Sequence, residues 1–153
     1  MTNTLWGGCL CGNIRYQCHG EPITAVLCHC RDCQKAHAAP SAALACMPPL
    51  SITILQGSPA KIEMNAASGS RTFREFCPKC GTHLFSGSAG FQEFRAIKIA
   101  TLDNPSVISP VAHVWVGSAV DWANIDDKLP TFEHQPEMSE LEELWQRRSQ
   151  RTL

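Results

Sequence analysis

Seven of the chain's nine cysteines fall into three tight groups: Cys9-Leu10-Cys11, Cys28-His29-Cys30-Arg31-Asp32-Cys33 and Cys77-Pro78-Lys79-Cys80. Thiols on such short spacers can point at one centre, and a metal is the usual reason. The middle group organises the rest, with three cysteines spaced C-x-C-x-x-C. We read two zinc sites with different jobs, hence two Zn2+ per chain. Cys9, Cys11, Cys77 and Cys80 close a structural site that clips residue 9 to residue 80. Cys28, Cys30 and Cys33 hold a second ion with one position open.

Disulfides or scattered core thiols account for the cysteines less well. A disulfide framework wants an even count and export, whereas the count here is odd. The N-terminal stretch 1–7 has no basic segment followed by an apolar one, so it does not read as a secretory signal. A chain of 153 residues can also bury a core without staples. The expected location is the cytoplasm, where thiols stay reduced. Cys18 and Cys46 stand apart and are expected to pack as small hydrophobes. A net charge of -1 implies no broad attraction to nucleic acid or to an anionic membrane. No apolar run approaches the roughly 20 residues that span a bilayer. Neither nucleic acid nor membrane is therefore expected as a partner.

The periodicity is that of a mostly β chain. Trp6-Gly7-Gly8 reads as a loop into the first cysteine pair. Strands are expected over residues 13–18, 23–27, 42–47, 51–55, 61–64, 71–76, 82–85, 94–101 and 112–116, with a flexible turn over 86–90. Residues 32–39 suit a short helix ended by Pro40. Ser139-Glu140-Leu141-Glu142 reads as a capping box, with Leu141, Leu144 and Trp145 at helical spacing after it. That gives a C-terminal helix over 137–151, packed on the domain or on a partner.

Each cysteine pair has a local rationale. Pro78 presets a turn and Gly81 tolerates a left-handed conformation, so both thiols of Cys77-x-x-Cys80 can face one ion. Cys9 and Cys11, two apart on an extended segment, would point the same way. Two such pairs make a tetrahedral site of four thiolates. Three thiolates on Zn2+ leave a vacant position, as in catalytic zinc sites, and a zinc-bound thiol is deprotonated outright. A small thiol such as glutathione could then bind there as the nucleophilic thiolate.

These residues resemble the glutathione-dependent formaldehyde-activating enzyme family, which includes centromere protein V. The matching words are Gly8-Cys9-Leu10-Cys11-Gly12 with Ile14-Arg15-Tyr16, then Cys28-His29-Cys30-Arg31-Asp32-Cys33-Gln34-Lys35, then Arg74-Glu75-Phe76-Cys77-Pro78-Lys79-Cys80-Gly81-Thr82 with Leu84-Phe85. Thr101-Leu102-Asp103, Trp122 and Leu129-Pro130-Thr131-Phe132-Glu133 follow in the family's order. The resemblance implies an Mss4-like β fold over residues 5–134. It also implies a structural zinc on Cys9, Cys11, Cys77 and Cys80 and a catalytic zinc on Cys28, Cys30 and Cys33. The implied activity is that of a carbon–sulfur lyase of the S-hydroxymethylglutathione synthase type, joining glutathione and formaldehyde. The chain departs from many relatives at Ala36-His37-Ala38, where they carry Ala-Ser-Gly. The competing expectation is a zinc-stabilised binding module without catalysis.

Several further residues have two readings each. His29 alternates with the ligands and either ligates or faces outward. His37, His83 and His113 could each fill the fourth position or shuttle protons, or be ordinary histidines. Arg31 and Lys35 could offset the anionic centre and hold a carboxylate, or be solvated surface charge. Trp6, Trp115 and Trp122 are expected in the core.

Overall fold

The computed structural model describes residues 3–89, 94–125 and 127–151, with side chains as far as Arg148. Its strands, in chain order, are β1 (Thr4–Gly8), β2 (Arg15–His19), β3 (Thr24–Cys28), β4 (Ala42–Met47) and β5 (Ile52–Gln56). Then come β6 (Ala60–Asn65), β7 (Arg71–Phe76), β8 (His83–Ser88), β9 (Arg95–Lys98) and β10 (Ala112–Val114). The helices are α1 (Arg31–His37) and α2 (Met138–Arg151). This is the mostly β, Mss4-like architecture expected, with a C-terminal helix.

Two sheets form. The smaller is antiparallel, in the order β1-β2-β5. The larger runs β10-β3-β4-β9-β8-β7-β6, antiparallel except where β10 lies parallel to β3. Alternation through β2 points Ile14, Tyr16 and Cys18 inward, where they pack with Leu84 and Phe85 of β8 and Ile97 of β9 as the main core. Tyr16 and Phe85 meet edge to face, 5.0 Å between ring centroids, a favourable geometry for two π systems. A second cluster joins Val26, Cys28, Cys33, Ala42, Ala112, Val114 and Leu141. The lone cysteines Cys18 and Cys46 are buried hydrophobes as expected, and burial pushes both thiols up to about 12.

Trp6-Gly7-Gly8 is strand, not loop. The reason is close approach rather than turning. A Cβ at Gly7 would sit 2.5 Å from the Tyr16 hydroxyl and 2.6 Å from the Thr101 carbonyl oxygen. The family words Arg15-Tyr16 and Thr101-Leu102-Asp103 meet at this same place. Arg15 Nη1 donates to Asp103 Oδ1 at 2.8 Å, and the Tyr16 and Thr101 hydroxyls are 2.7 Å apart.

Other boundaries shift for local reasons. The strand expected to reach Thr101 ends at Lys98, where a 3-10 turn over Ile99–Thr101 begins. The one expected to reach Val116 ends at Val114, because Trp115 takes a left-handed φ of 60°. β8 continues through Ser88, into the stretch read as a turn; Gly90 of that stretch lies outside the described residues. α1 ends two residues before Pro40 is reached, on a left-handed Ala38 (φ 49°) whose N–H returns to Gln34 O. α2 starts at Met138, and the Leu141 N–H donates to Glu137 O, so Ser139 lies in the first turn and is not the cap. Trp6 and Trp122 are exposed and do not join the core.

The C-terminal helix packs on the body of the protein. Leu141 is fully buried, Thr24 Oγ1 donates to its carbonyl at 3.0 Å, and Arg148 Nη1 donates to Ser109 O and Pro110 O.

Candidate metal centres

Two turns bring the outer cysteines together. After β1 the chain reverses over Cys9–Gly12, with Gly12 N–H donating to Cys9 O. This pair sits in a tight turn, not on the extended segment expected. Between β7 and β8 a second turn closes through Gly81 N–H to Cys77 O at 2.8 Å, and Gly81 has the left-handed φ of 77° that the C-x-x-C-G spacing implied. The sulfurs of Cys9, Cys11, Cys77 and Cys80 all lie within 4.8 Å of one another. Cys9 Sγ and Cys11 Sγ are 3.6 Å apart, and Cys11 Sγ and Cys77 Sγ 3.9 Å. Metal–sulfur bonds of about 2.3 Å give a tetrahedron with edges of about 3.8 Å, so these spacings fit a zinc ion. The surroundings favour thiolate at two of the four: Ile14 N–H donates to Cys9 Sγ, and the Thr82 hydroxyl beside Cys80 Sγ pulls the Cys80 thiol down to about 5.

The inner cysteines lie on one strand-to-helix junction. Cys28 is the last residue of β3, Cys30 caps α1 by accepting from Cys33 N–H, and Cys33 sits in the first helical turn. Their sulfurs also lie within 4.8 Å of one another. Three thiols this close polarise one another. Hydrogen bonds from Cys28 and Cys33 push Cys30 down to about 2, while Cys30, Cys33 and burial push Cys28 up. A cation among them would take all three as thiolates. Among the described residues, no other histidine, cysteine, aspartate or glutamate completes this group, which leaves a three-sulfur set. Cys28 and Cys33 are buried and Cys30 is half-buried.

The histidines stand around the cluster rather than in it. His29 faces neither solvent nor the sulfurs: it is buried, with Nε2 2.9 Å from Nδ1 of buried His113. His37 donates from Nδ1 to Cys33 O at 2.9 Å, and its ring lies 5.4 Å from that of His83. Burial, then nearby Lys98, pushes His37 down to about 4. Arg31 and Lys35 are exposed, Arg31 being bound to Gln34. The buried cations near the cluster are instead Arg74 on β7 and Lys98 on β9. Lys98 Nζ donates to Ser86 Oγ at 2.6 Å. Burial lowers the Lys98 ammonium to about 8, and Cys33 and Cys28 counter that effect. Neither cation stands out in the sequence as a site residue. The available signal was a lysine inside the apolar run Ala96-Ile97-Lys98-Ile99.

Two clefts lie away from the inner cysteines. One, of about 310 Å³, is lined in part by Arg71, Phe73 and Arg95. The other, of about 640 Å³, lies between α2 and residues 109–111 and 128–130. No described helix is long and apolar enough to cross a membrane.

Comparison with known proteins accords with this geometry. A search of curated proteins found no match. A crystal structure of a Rhodobacter sphaeroides protein, a structural genomics target, aligns with a TM-score of 0.56 at 19% identity, covering 71% of this chain and 99% of that one. That likeness is one of fold. The family profile described as glutathione-dependent formaldehyde-activating enzyme matches residues 4–118. That match takes in both cysteine turns, the β3–α1 junction and the strands carrying Arg74 and Lys98, and on its extent the chain belongs to the glutathione-dependent formaldehyde-activating enzyme family.

Proposed function

We propose that the chain is a zinc-dependent carbon–sulfur lyase-type enzyme acting on a thiol adduct, in the manner of S-hydroxymethylglutathione synthase. Residues 5–134 are its zinc domain and 137–151 an accessory helix. Cys9, Cys11, Cys77 and Cys80 hold a structural zinc; Cys28, Cys30 and Cys33 hold the catalytic one. The observation that carries the reading is the inner group of three sulfurs with no fourth ligand from the described residues. Bound there, zinc supplies a Lewis-acid centre at which a substrate thiol is held as thiolate.

The chain's own residues fix the geometry. The β3–α1 junction presents three sulfurs from one short segment. Gln34 Nε2 braces it by donating to His29 O at 2.6 Å and Ser118 O at 2.9 Å. The reaction joins the glutathione sulfur to the carbonyl carbon of formaldehyde and moves the thiol proton to the carbonyl oxygen. Nothing leaves, and the reverse step breaks the same bond. Holding both reactants in place converts an encounter into an intramolecular step. Nine free cysteines, none of them paired, suit a reducing cytoplasm.

The burial of Cys28 and Cys33 favours a second reading: a zinc-stabilised binding module without catalysis. One experiment separates the two. S-hydroxymethylglutathione formation is followed by NMR with zinc-loaded protein and with Cys30→Ser. The enzyme reading expects a rate above the uncatalysed reaction, lost in a folded Cys30→Ser. Wild-type protein that carries two zinc ions yet does not exceed the uncatalysed rate overturns this substrate pair, and if glutathione also leaves both zinc ions unaffected, the module reading replaces the enzyme.

A further inference from the structure

We propose that the outer edge of β6 is an interface between two copies of this chain, their β6 strands pairing antiparallel about a two-fold axis at Ile62. β6 is the last strand of the seven-stranded sheet, and five of its six residues are exposed. The opposite edge of that sheet is closed: on β10, His113 N–H donates to Pro130 O and the His113 carbonyl accepts from Phe132 N–H. Among the described residues no strand or bridge closes β6 in this way. An open edge is a template for another strand, and chains usually blunt it with a bulge, a proline or a lysine. β6 keeps an unbroken register with β7, and Pro59 lies just before the strand rather than inside it. Its lysine, Lys61, has an answering charge two residues on, at Glu63.

The β6–β7 hairpin fixes which backbone groups face outward. Ala66 N–H donates to Ser70 O at 2.8 Å, in the same register that pairs β6 with β7. Hydrogen-bonded pairs alternate along an antiparallel ladder, so Ala60, Ile62 and Met64 direct their N–H and C=O groups to β7. Lys61, Glu63 and Asn65 turn theirs to the open side. A two-fold axis perpendicular to the sheet allows only registers in which one residue meets its own copy. Centring on Lys61 or Glu63 sets like charges opposite, and centring nearer either end of the strand leaves Lys61 opposite no acid. Centring on Ile62 sets Lys61 against the partner's Glu63 in both halves of the pair, and makes these the hydrogen-bonded positions. Both faces are then complementary. On one, Ile62 meets its copy and Ala60 meets the partner's Met64, covering side chains that are 41% exposed at Ile62 and 43% at Met64. On the other, Glu63, already bound to Arg71, gains the partner's Lys61.

Sedimentation velocity of the zinc-loaded protein from about 5 to about 500 μM covers the range in which an interface of this modest size associates. A monomer–dimer equilibrium is expected. Hydrogen exchange by NMR locates the contact. At the highest concentration the Lys61 and Glu63 amides should gain about tenfold protection, while those of Ile62 and Met64, already bonded to β7, change less. Lys61→Glu sets acid against acid across the axis, and Glu63→Lys sets lysine against lysine, so each variant alone should be monomeric. Mixed together they should form a heterodimer, because every charged pair across the interface is then opposite in sign. That mixture also shows that both variants have folded. Wild-type protein that stays monomeric throughout overturns the proposal, even if an added unrelated extended peptide protects the same amides. A dimer that survives Lys61→Glu with those amides unprotected forms elsewhere and overturns it as well.

Discussion

At the scale of single residues, the departure at Ala36-His37-Ala38 has a physical meaning. Ala38 closes α1 in the left-handed region, with φ at 49°. That region costs a residue with a Cβ roughly 1–2 kcal/mol, which is why helices so often end on glycine there. Ala38 carries that strain here. Ala38→Gly should therefore stabilise the protein. Glycine's own loss of chain entropy offsets part of the gain, leaving about 0.5–1 kcal/mol, or about 2–4 °C at most in Tm. A thermal melt that shifts downward would show that Ala38 is not strained. The neighbouring His37 is held differently: its Nδ1 donates to Cys33 O and its ring lies 5.4 Å from that of His83.

At the scale of elements, the two cysteine groups differ in what they hold. The outer four join the turn after β1 to the β7–β8 turn, so they fasten the small sheet to the large one. The inner three belong to one strand-to-helix junction. Structural zinc contributes on the order of 10 kcal/mol to folding in small peptides, comparable to the whole stability of a domain, about 5–15 kcal/mol. Cys80→Ser should accordingly abolish cooperative unfolding by circular dichroism. Cys33→Ser should melt cooperatively and lose about one zinc per chain, as should wild-type protein under mild chelation. A Cys80→Ser protein with a native melt would remove the structural assignment. These groups were legible in the sequence because metal-ligand spacing is local: the short spacer of C-x-x-C determines a turn whatever the rest does. β1 was not legible, because Gly7 looks like a loop residue until the Tyr16 ring is seen against it. The Arg74–Lys98 pair was hidden for a related reason. Each cation lies on its own strand, and only the pairing of β7 with β8 and of β8 with β9 brings them together.

At the scale of the whole molecule, α2 is not an appendage. It covers β3, the strand that ends in Cys28, and its Leu141 joins the same cluster as Cys28 and Cys33. Truncating a buried leucine costs about 2–5 kcal/mol, so Leu141→Ala should lower the unfolding free energy by that amount. It should also loosen zinc at the inner site more than at the outer one. Equal metal retention at both sites, measured by stepwise chelation, would show that α2 stabilises the fold without supporting the junction.

The parallel pairing of β10 with β3 adds an order of assembly. The inner cysteines leave the ribosome early, but β3 gains its outer neighbour only when Ala112–Val114 has been made, and its cover only with α2. Contacts so distant in sequence close late, since a long loop must first lose its freedom. The outer four ligands are complete once Cys80 is made, well before that. The outer cysteines can thus come together first, and three mutually polarised thiols are enclosed last, when the strand and helix that bury them arrive.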